Sequence, residues 1–241
     1  MTLILSGTDG LSEVDGTAAT PAIRGTDTNT GIYFPGADRI GFAEGGTQVG
    51  EFDASGNFQM NSGYGSVTTV YGCRAWANFS GSANTNLTGT YSQSGTTVTV
   101  TATSHGLLVG SGIYSDITSG TGVDGVYTVA TVTDANTFTY TAGTSLTTSG
   151  NITLRRATLN ANGNIASVAD LGTGDWYVNF AVAMPDTNYS VSWSASTGAA
   201  GSNSWSGGVQ TRNAQGFRLA TQRSSDLSFL DPSVVNIQVF R

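Results

Sequence analysis

In Tyr71-Gly72-Cys73-Arg74-Ala75-Trp76-Ala77-Asn78-Phe79-Ser80-Gly81, the residues Cys73, Ala75, Ala77 and Phe79 fall on one side of an extended chain. Arg74, Trp76 and Asn78 fall on the other. This two-residue period marks a strand with one apolar and one polar face. Upstream the chain reads as thin, hairpin-rich structure. Downstream it reads as a compact β domain that this strand opens, with a self-contained module spliced in just behind it.

Composition supports an all-β chain. Only 10% of the 241 residues are charged, against about a quarter in typical domains. There are 33 glycines and 4 prolines, and much of the remainder is Thr, Ser, Asn and Val. These residues fill turns and pleated strands rather than helices. No glycine-free window carries the i, i+3, i+4, i+7 apolar spacing of an amphipathic helix. The net charge of −7 argues against nucleic acid as a partner, since phosphate contacts need a basic stripe. Met1–Gly7 has no basic region and a short apolar run, so neither a secretory signal nor membrane insertion is expected. A lone cysteine cannot make an intrachain disulfide.

Residues 1–27 mix turn chemistry with few apolar anchors and are expected to form an extended arm that orders on a partner. In 28–66 short apolar pairs recur at Ile32/Phe34, Ile40/Phe42, Val49/Phe52 and Phe58/Met60, separated by Pro35-Gly36, Gly45-Gly46 and Ser55-Gly56-Asn57. This is the spacing of a hairpin meander. A single ribbon cannot bury its apolar face, and burying each Phe or Ile is worth about 1.5–3 kcal/mol. Copies must therefore share Ile32, Phe34, Ile40, Phe42, Phe52 and Phe58, most simply as a homotrimer around one axis.

Residues 67–81 and 157–241 are expected to form a discontinuous, antiparallel, sandwich-like domain. Trp176, Val178, Phe180 and Val182 alternate on one strand; Tyr189, Val191 and Trp193 alternate on the return. Asn162-Gly163 predicts a hairpin turn. Between the halves, 82–156 carries five short strand patterns at 97–102, 113–117, 126–132, 137–140 and 152–154, enough for a small barrel or sandwich. Insertion at a hairpin tip costs little loop entropy.

Thr30–Gly46, with Phe52-Asp-Ala-Ser-Gly-Asn57, resembles the stalk repeat of bacteriophage tail fibres, notably those of cyanophages. The opening Leu3–Ser12, Ala22–Thr26, Cys73–Trp76, Gly174–Phe180 and Ala183–Val191 are similar to the same family. The resemblance covers most of the chain outside 82–156, and that insert is similar to small β modules carried by phage structural proteins. It implies a virion location and an N-terminal arm docking on other tail or baseplate proteins. It also implies distal β domains that meet host-surface glycan or lipopolysaccharide without catalysis. A baseplate, neck or head-fibre component is the alternative. A further alternative is an envelope-polysaccharide depolymerase.

Chemistry is sparse. One His and one Cys leave any nucleophile–base pair resting on His105, in the turn Ser104-His-Gly-Leu107, where a backbone-bonded turn side chain is expected. Cys73 is expected to be a small buried hydrophobe. No metal or cofactor site is expected. Gly120-Thr-Gly-Val-Asp-Gly125 matches a dinucleotide fingerprint by letter but precedes a strand rather than a helix. Asp170/Asp175 and Asp226/Asp231 are the carboxylate pairs to weigh for glycan cleavage. For receptor contact the candidates are Trp205, in a Gly/Ser loop, and Arg212 and Arg218, flanking the turn at 213–216.

Overall fold

The computed structural model describes residues 14–61, 67–70, 72–196 and 205–241. Among them are eighteen strands and no helix, arranged in antiparallel sheets of which none closes on itself. The chain divides into two compact units, Met1–Tyr71 and Gly72–Arg241. Of the arm expected at 1–27, residues 1–13 lie outside the described residues, and Ile23–Arg24 in the remainder is a strand that pairs with Gly31–Ile32.

The first unit is one six-stranded meander in sequence order: β1 (Ile23–Arg24), β2 (Gly31–Tyr33), β3 (Ile40–Glu44), β4 (Thr47–Phe52), β5 (Phe58–Met60) and β6 (Thr68–Thr69). The β3–β4 and β4–β5 turns use glycines at positive φ, Gly45, Gly46 and Gly56, conformations that residues with a Cβ rarely adopt. Asp53 closes the β4–β5 turn by accepting from the backbone N–H groups of Ser55 and Asn57, both at 2.9 Å.

The second unit begins with β7 (Cys73–Asn84), β8 (Leu87–Thr101), β9 (Gly112–Ile117), β10 (Gly125–Val132) and β11 (Thr137–Leu154). It continues through β12 (Ala157–Gly163), β13 (Ile165–Gly172), β14 (Asp175–Phe180), β15 (Ser190–Ser196), β16 (Trp205–Asn213), β17 (Gly216–Arg223) and β18 (Val234–Phe240). Two four-stranded sheets, β12-β7-β18-β15 and β13-β14-β17-β16, bury a common apolar cluster. Its members include Ala75, Ala77, Phe79, Trp176, Phe180, Phe217 and Val235. The alternation that singles out Ala75, Ala77 and Phe79 in the sequence is the alternation that fills this core. Val191 and Trp193 pack against it from the edge strand, whereas Val182 lies beyond β14 and is exposed.

Residues 87–154 make a third four-stranded sheet with its own core of Tyr91, Val98, Val100, Phe138, Tyr140, Ile152 and others. In place of two short strands at 137–140 and 152–154, the eighteen-residue β11 runs the length of β8. A register shift between Thr141 and Leu146, opposite Gly95 at φ 63°, bends this long pair. The bend lets β10 pair with the first part of β11 and β9 with its last part. The result is a curled sheet rather than a barrel or two-layer sandwich.

Asn162-Gly163 is not a hairpin turn, because β12 and β13 belong to different sheets. Asn164, at φ 56°, carries the chain from one to the other, and its side-chain amide bonds the carbonyls of Arg74 and Val182. Gly163 answers a different need: a Cβ there would sit 2.4 Å from the Trp76 indole nitrogen.

The curled sheet is fastened to the sandwich by polar groups. Asn179, fully buried, accepts from the Gly112 N–H at 3.0 Å and donates to the Gly112 carbonyl at 2.9 Å. Asn213 donates to the Gly110 carbonyl at 2.9 Å. The Tyr177 ring lies so close over Gly112 that a Cβ would approach it to 2.4 Å.

Candidate functional site

Directly opposed residues of neighbouring strands share a face of the sheet. In the first unit this rule assembles two apolar rows. One runs Ile23–Ile32–Phe42–Gly50–Met60, the other Ile40–Phe52–Phe58. The Phe52 and Phe58 rings lie 5.2 Å apart, and Phe42 meets Phe52 edge-on at 6.2 Å. Ile23, Ile40, Phe52, Phe58 and Met60 nevertheless keep 40–43% of their surface exposed. Ile32, Phe34 and Phe42 are half-buried.

The opposite face of that sheet is the closed one. Tyr33 lies over Gly41, where a Cβ would be 2.6 Å from the ring. Glu51 is buried beside it, accepting from the Arg39 guanidinium at 2.8 and 2.6 Å and from Gln48 at 2.8 Å. A carboxylate is thus buried on this face, while Ile23, Ile40, Phe52, Phe58 and Met60 on the other keep about two-fifths of their surface in water.

The three receptor-contact candidates all lie in the β13-β14-β17-β16 sheet but do not converge. Trp205 opens β16 opposite Arg223, half-buried, with its indole N–H enclosed and without a partner among the described residues. It stands on a strand rather than in a loop; residues 197–204 of that loop lie outside the described residues. Arg212, exposed, sits at the far end of β16 opposite Phe217. Arg218 is tied to Asp175, with Nε at 2.7 Å from one carboxylate oxygen and Nη2 against the other. Its charge is already answered.

A more coherent surface is the outer face of β12-β7-β18-β15. Trp76, 44% exposed, lies against Gly163. Beside it an amide ladder crosses three strands: Asn160 donates to Asn78, and Asn78 donates to Asn236, both at 2.7 Å. Trp76, Asn78, Asn236, Gln238 and Phe240 line an open cavity of about 350 Å³ that contains no charged side chain. An aromatic face beside fixed amides suits an uncharged polyol such as a sugar ring. The alternation of Arg74, Trp76 and Asn78 on the outward side of β7 was the available sequence signal. The partners Asn160 and Asn236 are brought in from distant strands and carry no local signal.

Cys73 is exposed on this same surface rather than buried. A register shift between Val239 and Phe240, which pair with Ala75 and Cys73, leaves Arg74 as an extra residue and turns Cys73 outward. His105 is buried, its two ring nitrogens occupied by backbone groups of Leu107 and Asp134, each at 3.0 Å.

The carboxylates are otherwise engaged. Asp175 pairs with Arg218, and Asp226 with Arg223 and Ser228. Asp170 accepts from Arg155 at 3.1 Å and Asn84 at 3.2 Å. Asp231 accepts the Gly174 N–H at 2.6 Å, and burial raises its pKa above 3.8, reinforced by Asp170. Asp170 thus interacts with Asp231, a pairing that sequence proximity does not suggest. Among the described residues no group of three or more His, Cys, Asp or Glu side chains is placed to hold a metal ion.

Comparison with protein-family models, with curated proteins and with solved structures finds no match for the chain.

Proposed function

We propose that the chain is a structural fibre protein of a phage virion, assembled as a homotrimer and without catalytic activity. In this reading its N-terminal segment joins other tail or baseplate proteins, and its β domains present a surface to host-envelope glycan. The observation that carries the proposal is the apolar face of the first unit, where Ile40, Phe52 and Phe58 stand two-fifths exposed. Covering the two-fifths still exposed is worth about 0.6–1.2 kcal/mol for each large side chain, two-fifths of the value for full burial, and further copies of the same face would supply the cover. The resemblance of residues 30–46 and 52–57 to tail-fibre stalks supports the same reading. For glycan contact the outer face around Trp76 is a better candidate than Trp205, Arg212 and Arg218, because its aromatic and amide groups converge and Arg218 is neutralised.

Sedimentation equilibrium tests the assembly. Three times the 24.7 kDa chain mass is expected, and a folded monomer at micromolar concentration overturns the proposal. Fluorescently labelled protein should decorate host cells, and Trp76→Ala should remove that staining without altering the trimer. Tight binding to purified tails with no adsorption to cells would move the same molecule to a baseplate, neck or head-fibre position.

A further inference from the structure

The chain has nine cationic side chains, all arginines. Five of them, Arg39, Arg155, Arg218, Arg223 and Arg241, form ion pairs with carboxylates. Arg24, Arg74 and Arg212 are exposed to water. Arg156 is in neither class. It sits half-buried in the two-residue link between β11 and β12, and among the described residues no carboxylate pairs with it. Its neighbour Arg155 turns to Asp170 and to the Tyr114 ring, 4.7 Å from the centroid. Arg156 instead donates from Nη2 to the His105 carbonyl at 2.8 Å. Its backbone is pinned on both sides, its N–H to the Asn86 side chain at 3.0 Å and its carbonyl to the Thr85 N–H at 2.9 Å.

A guanidinium drawn out of water without a counter-charge is an unfavourable arrangement. Burial pushes the Arg156 pKa down to about 10, and no acidic group opposes that shift. Beside it lies an open cavity of about 190 Å³, lined by Thr85, Arg156, Leu159, Ala166, Ser167 and Val168, with Ala157. Ser167 Oγ accepts from the Asn179 amide at 3.1 Å, which leaves its own O–H to donate. The Thr85 hydroxyl is exchanged with that of Thr158 at 2.8 Å. The polar side chains of the lining are thus a cation and two hydroxyls, and the other walls are apolar. Pockets for drug-sized ligands measure about 300–1,000 Å³, so this smaller space suits one small group.

We propose that this cavity, at the seam where the 87–154 sheet rejoins the sandwich, is a binding site for a small oxyanion. The guanidinium would take the carboxylate of an acidic sugar or a phosphate group in its planar fork. The site is separate from the uncharged Trp76 surface and does not depend on the virion role. It gives the protein two recognition chemistries, one for neutral polyols and one for anions.

Thermal unfolding of the full chain with glucuronate, inorganic phosphate or glucose tests the site. Glucuronate or phosphate should raise the melting temperature progressively with concentration, as binding to the folded state alone requires, and glucose should not. A response to glucuronate alone identifies a carboxylated sugar as the source, and a response to phosphate alone identifies a phosphorylated one. Arg156→Gln should weaken the effective anion roughly 10- to 100-fold, the range for losing a charge-assisted hydrogen bond. Should that variant not fold, Ala166→Leu, which keeps the arginine and fills the cavity, must abolish the response. Unchanged melting with both anions overturns the proposal, as does a full anion response in either folded variant.

Discussion

The two units use the same residues in the same kind of strand and treat them in opposite ways. In the second unit Phe79, Phe180 and Phe217 are fully buried between two sheets. In the first, Phe52 and Phe58 are two-fifths exposed on a single sheet. Propensity and alternation do not distinguish these phenylalanines; the presence of a second layer does. The second unit supplies its own, since β13, β14, β16 and β17 form a sheet whose inner face meets that of β7 and β18. All six strands of the first unit lie in one sheet. Among the described residues the second unit thus has two facing layers and the first has one.

The sharpest way to break this contrast is to cut into each apolar set in turn. Phe79→Ala removes a ring that contacts Trp176 edge-on at 5.6 Å. It should cost about 3–5 kcal/mol, the usual range for a large core aromatic. Urea unfolding should show this loss at every chain concentration, and a cost below about 1 kcal/mol would mean that the core is not tightly packed. Phe52→Ser should act differently. It should leave the unfolding of the second unit unchanged and weaken self-association by about 0.6–1.2 kcal/mol per chain, the share of full burial that the exposed two-fifths of the ring can still gain. Sedimentation across a dilution series reads that effect, and unchanged association would show that this face is not where copies meet.

A third substitution probes the closed side of the meander. Glu51→Ala leaves Arg39 and Gln48 without the carboxylate that both now bond. Arg39 keeps 38% of its side chain in water and can be solvated, so the expected cost is about 0.5–1.5 kcal/mol for the lost hydrogen bonds, and hydrogen exchange across β3 and β4 should accelerate. Exchange identical to the parent would mean that this face is not closed by its own side chains.

Much of this was legible in the residues themselves, because period-2 alternation and glycine turns are local signals. The inward set Ala75, Ala77 and Phe79 and the all-β character follow from them directly. What was hidden depends on partners far away in sequence. The extra residue at Arg74 that exposes Cys73 is set by pairing with β18, some 160 residues on. The joining of two short patterns into β11 is set by β8, which provides a partner along its whole length. The Asn179–Gly112 clasp and the Asn78–Asn236 ladder join polar residues that look like ordinary turn or strand-surface amides until the sheets are assembled. Arg156 is similar: as half of an Arg-Arg pair it reads as a solvated charge, and only the fold separates it from its neighbour's carboxylate.

The smallest expected effect compares the buried polar groups of the second unit with the exposed carboxylates of both. His105 is the only histidine. A backbone N–H can only donate, so Nδ1 must accept from Leu107, and Nε2 must carry the proton it gives to the Asp134 carbonyl. Protonating Nδ1 would break the Leu107 bond and set a second positive charge near Arg156, beside the Phe138 ring. Burial accordingly holds the His105 pKa below its ordinary 6.5, opposed by the Asp134 and Thr137 backbone contacts and aided by Arg156. The unfolded chain binds the proton more readily than the folded one. The neutral ring's contribution to stability is therefore complete above pH 6.5 and is lost as pH falls from 6.5 through the folded pKa. Asp27, Asp53, Asp186 and Asp226, with pKa values lowered by hydrogen bonding, keep their contribution until pH falls below 3.8 and lose it through their folded values. Asp231 works the other way, since its raised pKa favours the fold below 3.8 and the benefit fades as pH rises through the folded value. A decline in urea midpoint starting near pH 6.5 therefore belongs to His105, and His105→Gln should lose it while keeping the decline at lower pH. A flat midpoint between pH 7 and 5 in the parent, or the same slope in the variant, would show that the ring takes up its proton without opening the Ser104–Leu107 turn.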